Sequence, residues 1–175
     1  MEEPPEGVLF LLTADSLAGV LPTIRSRCIS FAVAPVSPAD CARYCTAQGV
    51  DGKAAALYSE LFDGHIGTVL AAARDDARRE QVEKALQLAK AAQDRDSYAA
   101  AVLLAAYEKD KAGAAALLAD FRAVAAAGLR GSKHSPVTGD AARKALGAAD
   151  TAIQRLSAQV NPKIVLTVLA ARFRA

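Results

Sequence analysis

The chain has 175 residues and a formal net charge of +2, with 5% aromatic residues and no tryptophan. So small a charge excludes a nucleic-acid or membrane surface built on a dense field of one sign and leaves room only for local contacts. No run approaches the roughly 18 uninterrupted apolar residues of a membrane span, the acidic start Met1-Glu2-Glu3-Pro4-Pro5-Glu6 is unlike a basic signal peptide, and the chain reads as cytoplasmic.

The first 35 residues differ in kind from the rest. Val8-Leu9-Phe10-Leu11-Leu12 is a continuous apolar run after Gly7, the pattern of a strand buried on both faces. Ile29-Ser30-Phe31-Ala32-Val33 reads as a second, alternating strand. Between them, residues 15–24 place Leu17, Val20, Leu21 and Ile24 on roughly one side, enough for about two helical turns. Two strands and one connector are a piece of an α/β sheet, with edges that invite pairing. The expectation is either that the sequence continues upstream of Met1 in a longer protein, or that a short natural chain pairs its two strands unusually, with each other or with a second copy.

From Ser37 onward the pattern is helical. Ser37-Pro38-Ala39-Asp40 supplies an N-cap, a proline at the first helical position and an acid in the first turn, and Gly49 stops that helix. A second helix is predicted over residues 51–62 and a third over 66–74. Together they form a three-helix unit near the lower size limit for independent stability. The charged stretch from Asp75 to Glu80 marks a boundary into a helix running to about Gln93. Asp96 caps the next, and Asp110 opens a long one in which Leu117, Leu118, Phe121, Val124 and Leu129 recur at three- and four-residue intervals. Residues 131–139 read as the one flexible loop of this half. Asp140 is expected to cap a further long helix, and Asn161-Pro162 opens the last, which closes on Arg172 and Arg174. The expected fold is mainly α, with a two-strand sheet remnant over residues 1–35, a three-helix unit over 36–75 and a five-helix bundle over 76–175.

Arg25-Ser26-Arg27-Cys28 falls just before the second predicted strand, on a turn at the sheet edge. A guanidinium there projects donors in a planar fork suited to phosphate oxygens. The plain alternative is a solvated or salt-bridged arginine pair.

The run E-E-P-P-E-G-V-L-F-L-L-T, followed by L-P-T-I-R-S-R-C, resembles the Walker-B-distal half of an ATPase domain of the clamp-loader AAA+ family. T-I-R-S-R-C is nearer to the delta-prime type than to gamma/tau subunits, whose equivalent stretch more often reads T-I-L-S-R-C; Arg25 alone carries that distinction. The resemblance implies that Arg27 is an arginine finger acting in trans on a neighbouring subunit's ATP. It implies that Ser26 and Cys28 shape the turn, and that Arg25 pairs with an acid across the interface. Asp63-Gly64-His65-Ile66-Gly67-Thr68 is similar to the family's sensor-2 region, with Thr68 where nucleotide-binding members place a cation. Val160-Asn161-Pro162-Lys163-Ile164-Val165-Leu166 looks like the start of the family's last collar helix. Under this resemblance residues 36–75 form the lid and 76–175 the collar.

The sequence holds no G-x-x-x-x-G-K-[ST] loop and no acidic Walker B cluster. The resemblance therefore implies a subunit of the bacterial DNA polymerase III clamp loader that is not an enzyme by itself and holds no cofactor, ATP and Mg²⁺ belonging to partner subunits. Its partners would be gamma/tau and delta subunits, with the sliding clamp and primed DNA met through the complex and no membrane involved. Two alternatives stand beside it: a fragment of a gamma/tau-type ATPase subunit, and a generic helical interaction domain.

Other candidates carry less. Cys41 and Cys45 share a helix face at i, i+4, a metal half-site at most, and reduced, partly buried thiols are the better reading. No metal site is expected. His65 and His134 flank no nucleophile, and Ser135 and Thr138 lie in the loop with no base beside them. The clusters Asp94-Arg95-Asp96 and Glu108-Lys109-Asp110-Lys111 read as solvated turns with local ion pairs. Arg130, Lys133 and His134 are too sparse for a DNA patch.

Overall fold

The computed structural model describes residues 6–14, 16–34 and 36–174. The chain divides into two units, Met1–Ala34 and Pro35–Ala175. Among the described residues there are nine α-helices, two 3₁₀ turns and no β-strand.

In the first unit a 3₁₀ turn, Leu17–Gly19, and a four-residue helix α1, Pro22–Arg25, replace the single two-turn helix predicted there. Proline has no N–H to continue a helix but suits the first position of a new one, so Pro22 starts α1 afresh. Asp15, the predicted start, lies outside the described residues, as do Glu2 to Pro5.

The two predicted strands are not formed: residues 8–12 and 29–33 have no regular secondary structure. Their apolar side chains stand in solvent, with Leu11 at 86% and Val33 at 94% exposure. The physical reason is that a strand is stable only with neighbours for its N–H and C=O groups and a covered face for its side chains. Two strands alone supply neither.

The second unit is all helix: α2 (Pro38–Ala47), α3 (Gly52–Leu61), α4 (Ile66–Arg74), α5 (Asp76–Asp94), α6 (Ser97–Ala105), α7 (Lys111–Leu129), α8 (Gly139–Ser157) and α9 (Pro162–Ala171), closed by the 3₁₀ turn Arg172–Arg174. The starts are written locally. Ser37, Asp51, Asp75, Asp96, Asp110 and Asn161 each accept a hydrogen bond from a first-turn N–H, which satisfies donors the helix leaves unpaired. At α8 the expectation is corrected: Thr138 is the N-cap, without a side-chain cap bond, and Asp140 sits in the first turn. Its carboxyl is held below the usual carboxylate range by Arg143, then Lys144.

Buried residues from Cys41 to Phe173 form one apolar cluster. At its centre lies α7, packed against α8 and α5 and touching α3. Helix α7 is the one helix among the described residues long and apolar enough to span a membrane, yet half of it is buried inside the protein. Phe121 meets Phe173 with ring centroids 5.9 Å apart, tying α7 to the C-terminal turn. One acid lies among these apolar residues: Asp120, 5% exposed. It accepts both guanidinium N–H groups of Arg78 on α5, one at 2.6 Å, and Arg78 also stacks over Phe62. The hydrogen bonds to Asp120 raise the Arg78 pKa.

Residues 131–138 are not the loose loop expected. Val137 is fully buried, and the buried Ser135 hydroxyl donates to the Val124 carbonyl at 2.9 Å. Gly128 permits this, because a Cβ there would collide with the Val137 carbonyl. Gly64 plays the same part between α3 and α4. Its φ of +76° suits glycine, and a Cβ would strike the Val36 carbonyl.

Candidate functional site

The candidate site is the end of α1. Ser26 is the C-cap of that helix, and its N–H donates to the Pro22 carbonyl at 3.0 Å. The Arg27 N–H donates to Ile24 at 3.1 Å, closing a turn. Two side chains converge on one acceptor: the Ser26 hydroxyl donates to the Thr23 carbonyl at 3.2 Å, and the Arg27 guanidinium donates to the same oxygen at 2.8 Å. Last-turn carbonyls of a helix have no partner within it, so this pair caps α1 with a hydroxyl and a cation. Arg25 is the last residue of α1, and Arg25, Ser26, Arg27 and Cys28 are all exposed. The structure therefore brings the four motif residues together on a solvent-facing turn, but at a helix end and not at a sheet edge.

Thr68 lies in the first turn of α4, half-buried, after His65, an exposed N-cap without a side-chain cap bond. Neither residue is joined to a cluster of chemistry-bearing groups. Among the described residues no group of three or more His, Cys, Asp or Glu could hold a metal. Cys41 and Cys45 are buried on α2. Burial, then the neighbouring Cys41, pushes the Cys45 thiol pKa up, so both thiols pack as core.

A polar cluster that sequence reasoning missed joins α3 to the segment after α7. The Ser132 hydroxyl donates to the Glu60 carboxylate at 2.6 Å, and the Arg130 guanidinium donates to the Glu60 carbonyl at 3.2 Å while facing Asp63 at 3.5 Å. His134 donates its N–H to the Ser132 hydroxyl at 3.2 Å, and its Nε2 lies 3.9 Å from Glu60, buried with no hydrogen-bond partner. The only hint in the sequence was that Arg130, Ser132 and His134 alternate. Their partner Glu60, some 70 positions away, gives no local signal.

The remaining polar residues have structural work. Ser135 pins the loop, and Thr138 donates its N–H to Gln93 at 3.0 Å. Asp94 pairs with Lys90 at 2.7 Å, Arg95 takes the left-handed conformation after α5, and Asp96 caps α6. The cluster from Glu108 to Lys111 does not pair locally. Glu108 meets Lys163 at 3.3 Å, Lys111 donates to Gln159 at 2.6 Å, and Asp110 caps α7. Glu108 reaches α9 and Lys111 the segment just before it, so these side chains pair across the fold instead of with one another.

With this geometry in place, the known proteins add one relation. A family model described as DNA polymerase III, delta subunit, matches residues 1–37, the stretch that contains the Arg25-Ser26-Arg27-Cys28 turn. Neither the curated proteins nor the solved structures give a match to the chain. The N-terminal segment is thus similar to a polymerase III clamp-loader-type family, and the match ends where the second unit begins.

Proposed function

We propose that the chain is a clamp-loader subunit of the delta-prime type, which offers Arg27 in trans to the ATP of a neighbouring gamma/tau subunit during sliding-clamp loading. The observation that carries this reading is the coincidence of the family match over residues 1–37 with an exposed arginine turn inside it. In phosphoryl transfer, charge spreads over the equatorial oxygens, and an arginine supplied by a second protein stabilises it by on the order of 10³ to 10⁵ in rate. The Thr23 carbonyl helps fix the Arg27 side chain. A guanidinium already ordered loses less rotamer entropy on meeting a phosphate than one that rotates freely.

In this reading the exposed apolar runs at residues 8–12 and 29–33 belong to an ATPase-domain sheet, α2–α4 form a lid with Thr68 in place of a sensor cation, and α5–α9 form the collar. A hydroxyl cannot stand in for a phosphate-directed cation, so ATP and Mg²⁺ are assigned to partner subunits and hydrolysis to them. The complex acts in the cytoplasm, with no membrane, on the sliding clamp and primed DNA. Mixing the chain with gamma/tau and delta subunits tests the reading: co-elution as a stoichiometric complex is expected. Failure to associate with either subunit would leave a helical interaction domain unrelated to clamp loading.

A further inference from the structure

The polar cluster that joins α3 to the segment after α7 contains one atom that its hydrogen bonds leave out. Glu60 Oε2 accepts the Ser132 hydroxyl at 2.6 Å, and the same hydroxyl accepts the His134 backbone N–H at 3.2 Å, so the three residues are linked in a chain whose ends face each other. His134 Nε2 stands 3.9 Å from Glu60 Oε2, shut off from solvent and with no hydrogen-bond partner. A buried polar atom left in this way needs an explanation. An imidazole supplies one, because its protonated form carries a donor at both nitrogens and a positive charge. The other charges nearby are engaged elsewhere. Arg130, at the end of α7, faces Asp63 at 3.5 Å and donates to the Glu60 main-chain carbonyl, which leaves the Glu60 carboxylate open to the histidine. Lys133, on the histidine's own segment, is exposed. Helix α5 meets that segment through the uncharged Gln93, which accepts the Thr138 N–H.

We propose that His134 and Glu60 form a proton-gated clasp between α3 and the segment after α7. With the imidazole protonated, Nε2–H donates to the Glu60 carboxylate and an ion pair joins the two elements. With it neutral, the pair is absent and Ser132 alone bridges the segment to that carboxylate. Closing 3.9 Å to the roughly 2.8 Å of a charge-assisted hydrogen bond takes a shift of about 1 Å, and the link through Ser132 already holds the two residues side by side. Burial opposes the charge and the carboxylate favours it, so the quantity that reports the clasp is the pairwise attraction between the two residues. This inference stands apart from the clamp-loader assignment, which rests on the first unit.

A double-mutant cycle of His134→Gln and Glu60→Gln, read by urea unfolding of the full chain, isolates that attraction. Ser132 is unchanged throughout, so its bond to residue 60 cancels in the cycle. Run at about pH 5.5 and about pH 8, the cycle brackets the ordinary imidazole range near 6.5. The expected coupling is about fivefold in the unfolding equilibrium at the lower pH, the upper end for an ion pair with some solvent contact, and none at the higher. A second measurement needs no substitution: in the wild-type chain the Glu60 carboxylate carbon resonance should move with the His134 imidazole between about pH 6 and pH 8, where an ordinary glutamate is already ionised. Coupling of equal size at both pH values would overturn the proposal by making the contact one of packing. So would no coupling at the lower pH, or a Glu60 resonance that does not follow His134. Whether the chain co-elutes with clamp-loader subunits is read separately, so either idea can fail without the other.

Discussion

Arg27 donates its guanidinium to the carbonyl of Thr23, four residues back, at 2.8 Å, and so holds its charge against the end of α1. The Ser26 hydroxyl shares that acceptor at 3.2 Å. Serine here positions the turn, and the cation is the group that would reach a phosphate. Ser26→Ala in the assembled clamp loader should therefore lower ATP turnover by only about threefold, the scale of one exposed neutral hydrogen bond. A loss as deep as that of an Arg27 variant would make the hydroxyl a participant in the chemistry.

The Arg78–Asp120 pair should hold α5 to α7. Removing one partner of a buried ion pair strands the other charge, at about 3–5 kcal/mol; because Arg78 retains some solvent contact, the lower end applies. Arg78→Met should cost about 3 kcal/mol in urea unfolding, and Arg78→Met with Asp120→Leu distinctly less. Equal losses in the single and double variants would show that packing over Phe62, not charge pairing, is what Arg78 contributes.

The three cysteines should separate cleanly under a thiol reagent. Cys28 is exposed, while Cys41 and Cys45 are buried, so one thiol should react at once and two only on unfolding. Burial raises the Cys45 pKa in the folded chain. Above about pH 8.5, the ordinary thiol value, the unfolded chain ionises there and the folded chain resists. Stability from this group is therefore complete below that pH and falls as pH rises toward the folded value. Cys45→Ala should flatten that alkaline loss; an unchanged slope would assign it to other groups.

Gly128 and Val137 give a prediction about the loop. Gly128→Ala forces a Cβ against the Val137 carbonyl, and overpacking of this kind costs about 1–3 kcal/mol. Hydrogen exchange at residues 131–138 should speed up in this variant and also in Glu60→Ala, which removes the acceptor of Ser132. Exchange unchanged in both would mean that neither the close approach of Val137 to Gly128 nor the Glu60–Ser132 bond holds the segment.

What was legible in the sequence was local. Ser37, Asp96, Asp110 and Asn161 announce helix starts because a cap bonds N–H groups two or three residues ahead, and the spacing of Leu117, Leu118, Phe121 and Val124 marks the buried face of α7 without outside help. Asp120, set among those residues, could have signalled a buried cation, but nothing local names Arg78 as its partner. The loop misread has the same cause: Ser135 and Val137 look like turn residues until Gly128 and Val124 are brought beside them. Residues 8–12 and 29–33 show the reverse case, where a strong strand pattern is present and no strand forms among the described residues. The arginine turn was legible as a motif. Its placement at a helix end was not, because Pro22 restarts the helix one turn before it.

The most direct test of the account is the ATP turnover of a clamp loader reconstituted with the Arg27→Ala chain. The prediction is normal assembly, by co-elution with gamma/tau and delta subunits, together with loss of hydrolysis on the order of 10³-fold at the nucleotide site Arg27 reaches. Arg25→Ala is expected to keep most of the activity. Full turnover in an intact complex carrying Arg27→Ala would contradict the assignment of Arg27 as the residue that acts on a neighbour's ATP.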